Sequence, residues 1–157
     1  MSKVYMMVGN IGSGKSTAIN DGSTDCVICP DVLREQFGEM AGEKYLWDET
    51  LEEFIHDIML DSFEACLHIG VKEIFLDETF MDKAERAPWI ALANKYGYEV
   101  EALVFTDLGK EEHIRRRMTN HRNFSQELWE QVYDNNKTRY ELPTIEEGFT
   151  EIVMQGE

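Results

Sequence analysis

Residues 9 to 16 read Gly9-Asn10-Ile11-Gly12-Ser13-Gly14-Lys15-Ser16, with Thr17 behind them. The octet fits G-x-x-x-x-G-K-[ST] without a mismatch. Glycines let such a loop close until several backbone N–H groups point at one anion, and the helix that follows adds its positive N-terminal end. Lys15 can reach the β- and γ-phosphates of a nucleoside triphosphate, and the Ser16 hydroxyl can ligate Mg²⁺. The flanks agree with this reading. Lys3 to Val8 (KVYMMV) has the character of a short buried strand, and Lys15 to Asn20 begins a helix expected to end near Asp21-Gly22. Gly9 to Thr17 is therefore expected to hold ATP.

Working outward, Asp25 to Cys29 (DCVIC) is a second apolar run stopped by Pro30, and a short helix is predicted from Asp31 to about Gly38. Glu39 to Thr50 has no period and reads as loop. Leu51, Phe54, Ile55, Ile58, Met59, Phe63, Cys66 and Leu67 fall at helical spacing with acidic residues between them, which predicts an amphipathic helix. Val71 to Asp77 is a third strand, Asp82 to Tyr96 a helix ended by Gly97, and Tyr98 to Phe105 a fourth strand. A basic helix from about Lys110 to Thr119 precedes a polar break, Asn120 to Phe124. Ser125 is a candidate N-cap for a helix to about Tyr140. Beyond Pro143, Phe149 to Val153 reads as a last strand. Strands alternating with helices predict a parallel sheet covered on both faces, within a single domain spanning 1–157.

A chain of 157 residues with net charge −16 has little use for a broad, sequence-independent grip on nucleic acid, which depends on many Lys and Arg contacts. A nucleic-acid substrate would have to be met by a small basic site. No apolar run approaches the roughly 20 residues that span a bilayer. The start, Met1-Ser2-Lys3, runs into a strand with no signal segment, so a cytoplasmic location is expected. Three cysteines exclude a disulfide scaffold.

Guanine-specific switches carry N-K-x-D. Here Asn94-Lys95 is followed two residues on by Gly97, and Asn136-Lys137 by Arg139. A kinase fits better. It needs a base, an acceptor clamp and cations over the transferring phosphoryl group. Asp31 and Arg34, spaced by three after the second strand, can face one way. Asp31 could take the acceptor's proton while Arg34 holds an anionic group; Asp31 could instead serve only as a helix N-cap. After the third strand, Asp77-Glu78-Thr79 offers a carboxylate to Mg²⁺ and contacts to the acceptor, or simply a turn. Arg115, Arg116 and Arg117 share one helix, and Arg122 follows in the break. One or two of them with Arg122 could form a lid over about 115–124, the rest being a solvated basic face.

These residues together resemble the bacteriophage-type polynucleotide 5′-hydroxyl kinase family. The resemblance runs through Gly9 to Thr17 (GNIGSGKST), Asp31-Val32-Leu33-Arg34 (DVLR), Asp77-Glu78-Thr79 (DET), Glu85-Arg86 with Trp89, the basic lid, and Leu142 to Phe149 (LPTIEEGF). It implies a five-stranded parallel sheet of the adenylate-kinase type and transfer of the ATP γ-phosphoryl group, with Mg²⁺, to the 5′-hydroxyl of a polynucleotide or nucleoside 3′-phosphate. On this resemblance Asp31 is the general base, Arg34 contacts the phosphate beside the acceptor nucleoside, Lys15 and Ser16 serve ATP and Mg²⁺, and Arg116, Arg117 and Arg122 supply the lid. Phe80 stands where many relatives carry Asn. Two rivals stand beside this reading: a kinase for a nucleoside, modified base or small metabolite, and a nucleotide-binding module without transferase activity.

Weaker signals remain. Cys26-Val27-Ile28-Cys29 with Cys66 and His68 could form a zinc set, although cysteines on a buried strand serve as small apolar residues. His56, His113 and His121 have no partner pattern. Tyr45 and Trp47 could stack on a base or pack into the core.

Overall fold

A computed structural model describes residues 2–19 and 26–155. The elements run β1 (Lys3–Val8), α1 (Lys15–Ile19), β2 (Val27–Ile28), α2 (Pro30–Met40), α3 (Glu49–Ile69), β3 (Glu73–Asp77), α4 (Lys83–Lys95), β4 (Glu99–Phe105), α5 (Lys110–Met118), α6 (Gln126–Arg139), a 3₁₀ turn (Ile145–Glu147) and β5 (Glu151–Gln155). The expected end of α1 near Asp21-Gly22, and Asp25, lie outside the described residues.

The five strands are all parallel and stand in the order β2-β3-β1-β4-β5. β1 is central, pairing Met7 with Asp77 on one side and Val8 with Val104 on the other. The sheet therefore reverses direction of growth around β1, and the crevice beyond its carboxyl end is where open parallel sheets take ligands. α3 and α4 cover one face. Ile55, Met59, Phe63 and Leu67 of α3 and Trp89, Ile90 and Ala93 of α4 join Val4, Met6, Ile74, Leu76, Val100 and Ala102 in one buried cluster. A second, smaller core of Ile11, Ile114, Trp129 and Tyr133 fastens α5 and α6 to the loop after β1.

Helix starts agree with the sequence at Asp82 and Ser125, which accept from Glu85 and Leu128 N–H, while α3 starts at Glu49, inside the stretch expected as loop, because Asp48 caps it by accepting from Leu51 N–H. Elsewhere the bounds move for local reasons. α2 begins at Pro30, whose fixed φ suits the first helical position, and runs past Gly38 to Met40. Gly38 is a close-approach residue, since a Cβ there would lie 2.9 Å from Tyr45 N. The last strand starts at Glu151, two residues later than expected, because Phe149 (3% exposed) is spent as a core plug. β2 is only two residues long.

Arg86 is fully buried. It donates to Glu147 (2.8 Å from Nε), Phe80 O (2.8 Å) and Glu141 O (2.9 Å), tying the turn after β3 to the segment before β5. Removing one partner of such a pair costs about 3–5 kcal/mol. Phe80 takes a left-handed φ of 49° and packs edge-on against Trp89, so this turn is strained and clamped. Among the described residues no helix is long and apolar enough to cross a membrane.

Candidate active site

Three chain segments leave the carboxyl ends of β1, β2 and β3 into one cleft of about 1370 Å³, and α5, the break and α6 close it from above. In the segment after β1, Gly12 (φ 66°) and Gly14 (φ 100°) hold left-handed conformations that expose the loop's amides. A Cβ on Gly12 would lie 2.5 Å from His113 O, so α5 presses directly on the loop. His113 is fully buried. Its Nδ1 lies 2.6 Å from Ile11 O, and its Nε2 accepts from Leu108 N–H at 3.0 Å, which fixes Nδ1 as the donor to Ile11.

Of the residues expected to hold ATP, Ile11 to Thr17 line the cleft and Gly9 and Asn10 do not. The Gly9 and Asn10 carbonyls accept from Lys15 Nζ at 2.6 and 2.8 Å. The Asn10 side chain turns away, donating to Tyr133 O (3.1 Å) and accepting from Asn136 (3.0 Å) and Ile11 N–H (2.8 Å). Burial lowers the Lys15 pKa to about 8 against the pull of Asp77. The Ser16 hydroxyl donates to Asp77 Oδ2 at 3.0 Å. A hydroxyl and a carboxylate brought together beside a phosphate loop are oxygen donors that fit Mg²⁺. Burial raises the Asp77 carboxyl, with Lys15 and Ser16 opposing.

In the segment after β2, Asp31 is not the helix N-cap. Cys29 occupies that position, without a side-chain cap bond. Asp31 Oδ1 accepts from Arg34 Nη1 (2.8 Å) and Tyr45 OH (2.7 Å), and its Oδ2 lies 3.1 Å from Arg122 Nη1. Burial favours the neutral acid, yet Arg122, Tyr45 and Arg34 outweigh it and hold the carboxyl below the ordinary aspartate range. Arg34 is pinned further by Glu52, which accepts from Nε at 2.9 Å and also from Nη2, and its guanidinium lies over the Trp47 ring at 4.7 Å. Sequence reasoning missed Glu52, because no short spacing links it to Arg34. It also left Tyr45 open between stacking and packing, and the side chain is buried, with its hydroxyl on Asp31.

In the segment after β3, Thr79 O accepts from Gly9 N–H at 3.1 Å, joining the two loops. Glu78 lines the cleft, and burial pushes its carboxyl up to about 7 although Arg34 pulls the other way.

The arginines divide by position. Arg115 and Arg116 both pair with Glu112 and stand exposed at the rim, with Arg116 Nη1 near Gly14. Arg117 lies over the Trp129 ring at 5.0 Å, and burial lowers its pKa. Arg122, with φ 53°, reaches over the Tyr45 ring to Asp31, and its Nε is buried with no hydrogen-bond partner among the described residues. Seven of the chain's 15 Lys and Arg line this cleft: Lys15, Arg34, Arg115, Arg116, Arg117, Arg122 and Arg139. They face four carboxylates there, so an acidic chain keeps a net cationic mouth for phosphates.

Cys26 and Cys66 sulfurs sit 3.5 Å apart and pack against the main core, and burial pushes the Cys29 thiol up to about 12. Among the described residues no cluster of three or more His, Cys, Asp or Glu could hold a metal.

A family model described as AAA domain matches residues 4–143. Among solved structures, a kinase-like protein of Chloroflexus aurantiacus superposes with a TM-score of 0.69 at 12% identity, over 98% of this chain and 84% of that one. A chain of the Pnkp1/Rnl/Hen1 complex matches at 26% identity with a TM-score of 0.57, covering 73% of this chain and 38% of its own. Chaetomium thermophilum Kti12 in complex with ADP-AlF3 matches at 17% identity with a TM-score of 0.60, over 97% and 88%. The architecture is that of the P-loop kinases.

Proposed function

Because the chain belongs to the AAA domain family whose model spans residues 4–143, and that architecture is a P-loop kinase's, we propose that it transfers the γ-phosphoryl group of ATP to the 5′-hydroxyl of a polynucleotide or nucleoside 3′-phosphate. One observation carries the reading. Asp31, a carboxylate held ionised, sits 2.8 Å from the Arg34 guanidinium across the cleft mouth from the phosphate loop. A base beside an anion clamp suits a hydroxyl whose neighbour is a phosphate. The likeness to a chain of the Pnkp1/Rnl/Hen1 complex, described in a second structure as an RNA repair complex, supports the same acceptor class.

In this mechanism the loop amides and Lys15 hold the β- and γ-phosphates. Ser16 and Asp77 would hold Mg²⁺, which supplies charge neutralisation on the phosphate oxygens when bound. Asp31 accepts the proton of the 5′-hydroxyl while that oxygen bonds to the γ-phosphorus. The bond from γ-phosphorus to the bridging oxygen breaks, and ADP leaves with its electron pair. Arg122, with Arg116 or Arg117, stabilises the equatorial oxygens as a lid over about 115–124. Arg122 must leave Asp31 to do so, and its unpaired Nε gives it a second donor to aim. The unit that does this is a single kinase domain.

A second reading keeps the chemistry and changes the acceptor. Glu52 already neutralises Arg34 on one edge, and that weakens the clamp for a phosphate and favours an uncharged alcohol. The test is transfer of labelled γ-phosphate to a 5′-OH oligonucleotide, a nucleoside 3′-monophosphate, a free nucleoside and several small alcohols. Labelling of the first two with the free nucleoside poor supports the polynucleotide reading. Labelling only of the nucleoside or an alcohol removes it, and no labelling at all removes the kinase.

A further inference from the structure

Among the Trp, Tyr and Phe side chains that line the cleft, Trp47 is the most exposed, at 54%. Its exposure is not slackness of the loop. Leu46 N–H donates to Arg34 O at 3.1 Å, Tyr45 is buried beside it, and Asp48 caps α3 immediately after it. An indole between anchored neighbours is presented, with no core to fill. The other two tryptophans, Trp89 and Trp129, are 1% and 7% exposed.

The order of contacts gives Trp47 its place along a substrate. Asp31 touches Arg34, and Arg34 lies over the Trp47 ring at 4.7 Å. Four of the five Arg34 N–H groups are engaged, two by Glu52, one by Asp31 and one at 3.4 Å by the Tyr45 hydroxyl, which leaves one for an anion. A 5′-hydroxyl at Asp31 puts the 3′-phosphate of the same nucleotide at Arg34. What lies beyond that phosphate is the next nucleotide, and the next protein surface is the indole.

Resting on the proposed polynucleotide reading, we infer that Trp47 is the stacking platform for the base of the second nucleotide. It would make the enzyme prefer a chain over a mononucleotide without reading sequence, since every base has a π-face. Arg34 behind the ring fixes the indole plane and adds to it through its cation–π contact.

The experiment compares KM for a 5′-OH dinucleotide, the same compound abasic at its second position, and a nucleoside 3′-monophosphate. In the wild type the dinucleotide should show a KM lower by about 5- to 150-fold than the other two, the range of base–aromatic stacking. Trp47→Ala should erase that preference and leave the mononucleotide KM within about twofold. Trp47→Phe should keep most of it. An equal rise of KM for dinucleotide and mononucleotide in Trp47→Ala would overturn the inference, because Trp47 would then act only by positioning Arg34. So would a wild type that does not distinguish the abasic compound. Failure to label even the mononucleotide defeats the polynucleotide reading itself, and this inference with it.

Discussion

Replacing Asp31 by Asn separates the two things the carboxylate does. The substitution keeps Oδ1, so the bonds from Arg34 Nη1 and Tyr45 OH persist. In place of Oδ2 it puts an NH₂ group, which would face Arg122 Nη1 at 3.1 Å, a donor against a donor. That contact must break. Stability should fall by about 1–2 kcal/mol, less than a fully buried charge-assisted bond because the Asp31 side chain is 28% exposed. The rate should fall much further, by about 10²- to 10⁴-fold, since the amide cannot accept the hydroxyl proton. ATP affinity should stay within about threefold, because Asp31 makes no bond to the phosphate loop. The assay is single-turnover transfer of labelled γ-phosphate, with a fluorescent nucleotide for affinity and a urea midpoint for stability. Tyr45→Phe, which removes one donor and no charge, should stay within about tenfold of the wild-type rate. An Asp31→Asn enzyme that transfers at more than a tenth of the wild-type rate would refute the assignment of the base.

Gly12→Ala forces a Cβ to 2.5 Å from His113 O at φ 66°, and should cost more than about 2 kcal/mol and most of the ATP affinity. Gly42→Ala, at φ 82° with open space around it, is the control, and should cost about 1 kcal/mol in the same thermal melt with ATP affinity unchanged. The Glu78 carboxyl is raised to about 7 in the fold, so the native state binds the extra proton. That stability is present below the ordinary glutamate pKa near 4.5 and is lost as pH rises through 7. Glu78→Gln should flatten the decline between these values, at most about 1.4 kcal/mol per pH unit, in urea titrations run across that range. Arg122→Ala should lower kcat by about 10³-fold, and Arg115→Ala, exposed and paired with Glu112, by less than about threefold.

The phosphate loop, its strand and its helix were readable because the signal is contiguous and each residue type has one job. Asp82 and Ser125 mark helix starts by the same short-range logic, whereas Asp48, the cap of α3, lies in a stretch whose lack of period reads as loop. What could not be read is pairing across the chain. Arg34 with Glu52 spans 18 residues and His113 with Ile11 spans 102, and nothing at either end advertises the other. Asp31 as a cap failed for a related reason: Pro30 at the first helical turn had already moved the boundary to Cys29. Phe149 reads as strand by composition, but the sheet needed a plug at that spot. The arginine run fixed only a neighbourhood, because which guanidinium reaches Asp31 depends on the left-handed backbone at Arg122 and Asn123.

The chain order has an engineering consequence. The phosphate loop is wired through Asn10 and Ile11 to His113, Tyr133 and Asn136, which all lie in the chain between β4 and β5. The residues proposed to meet the acceptor first, Asp31, Arg34 and Glu52, fall in one contiguous stretch after β2. On the proposed function, a change of acceptor would start from that stretch, together with Arg122, which meets Asp31, and leave the phosphate loop in place. The stretch's ties to the rest of the fold include Asp31 to Arg122 and Leu33, Phe37 and Leu51 to the main core, and those are contacts a graft of residues 30–52 from a related fold would have to reproduce.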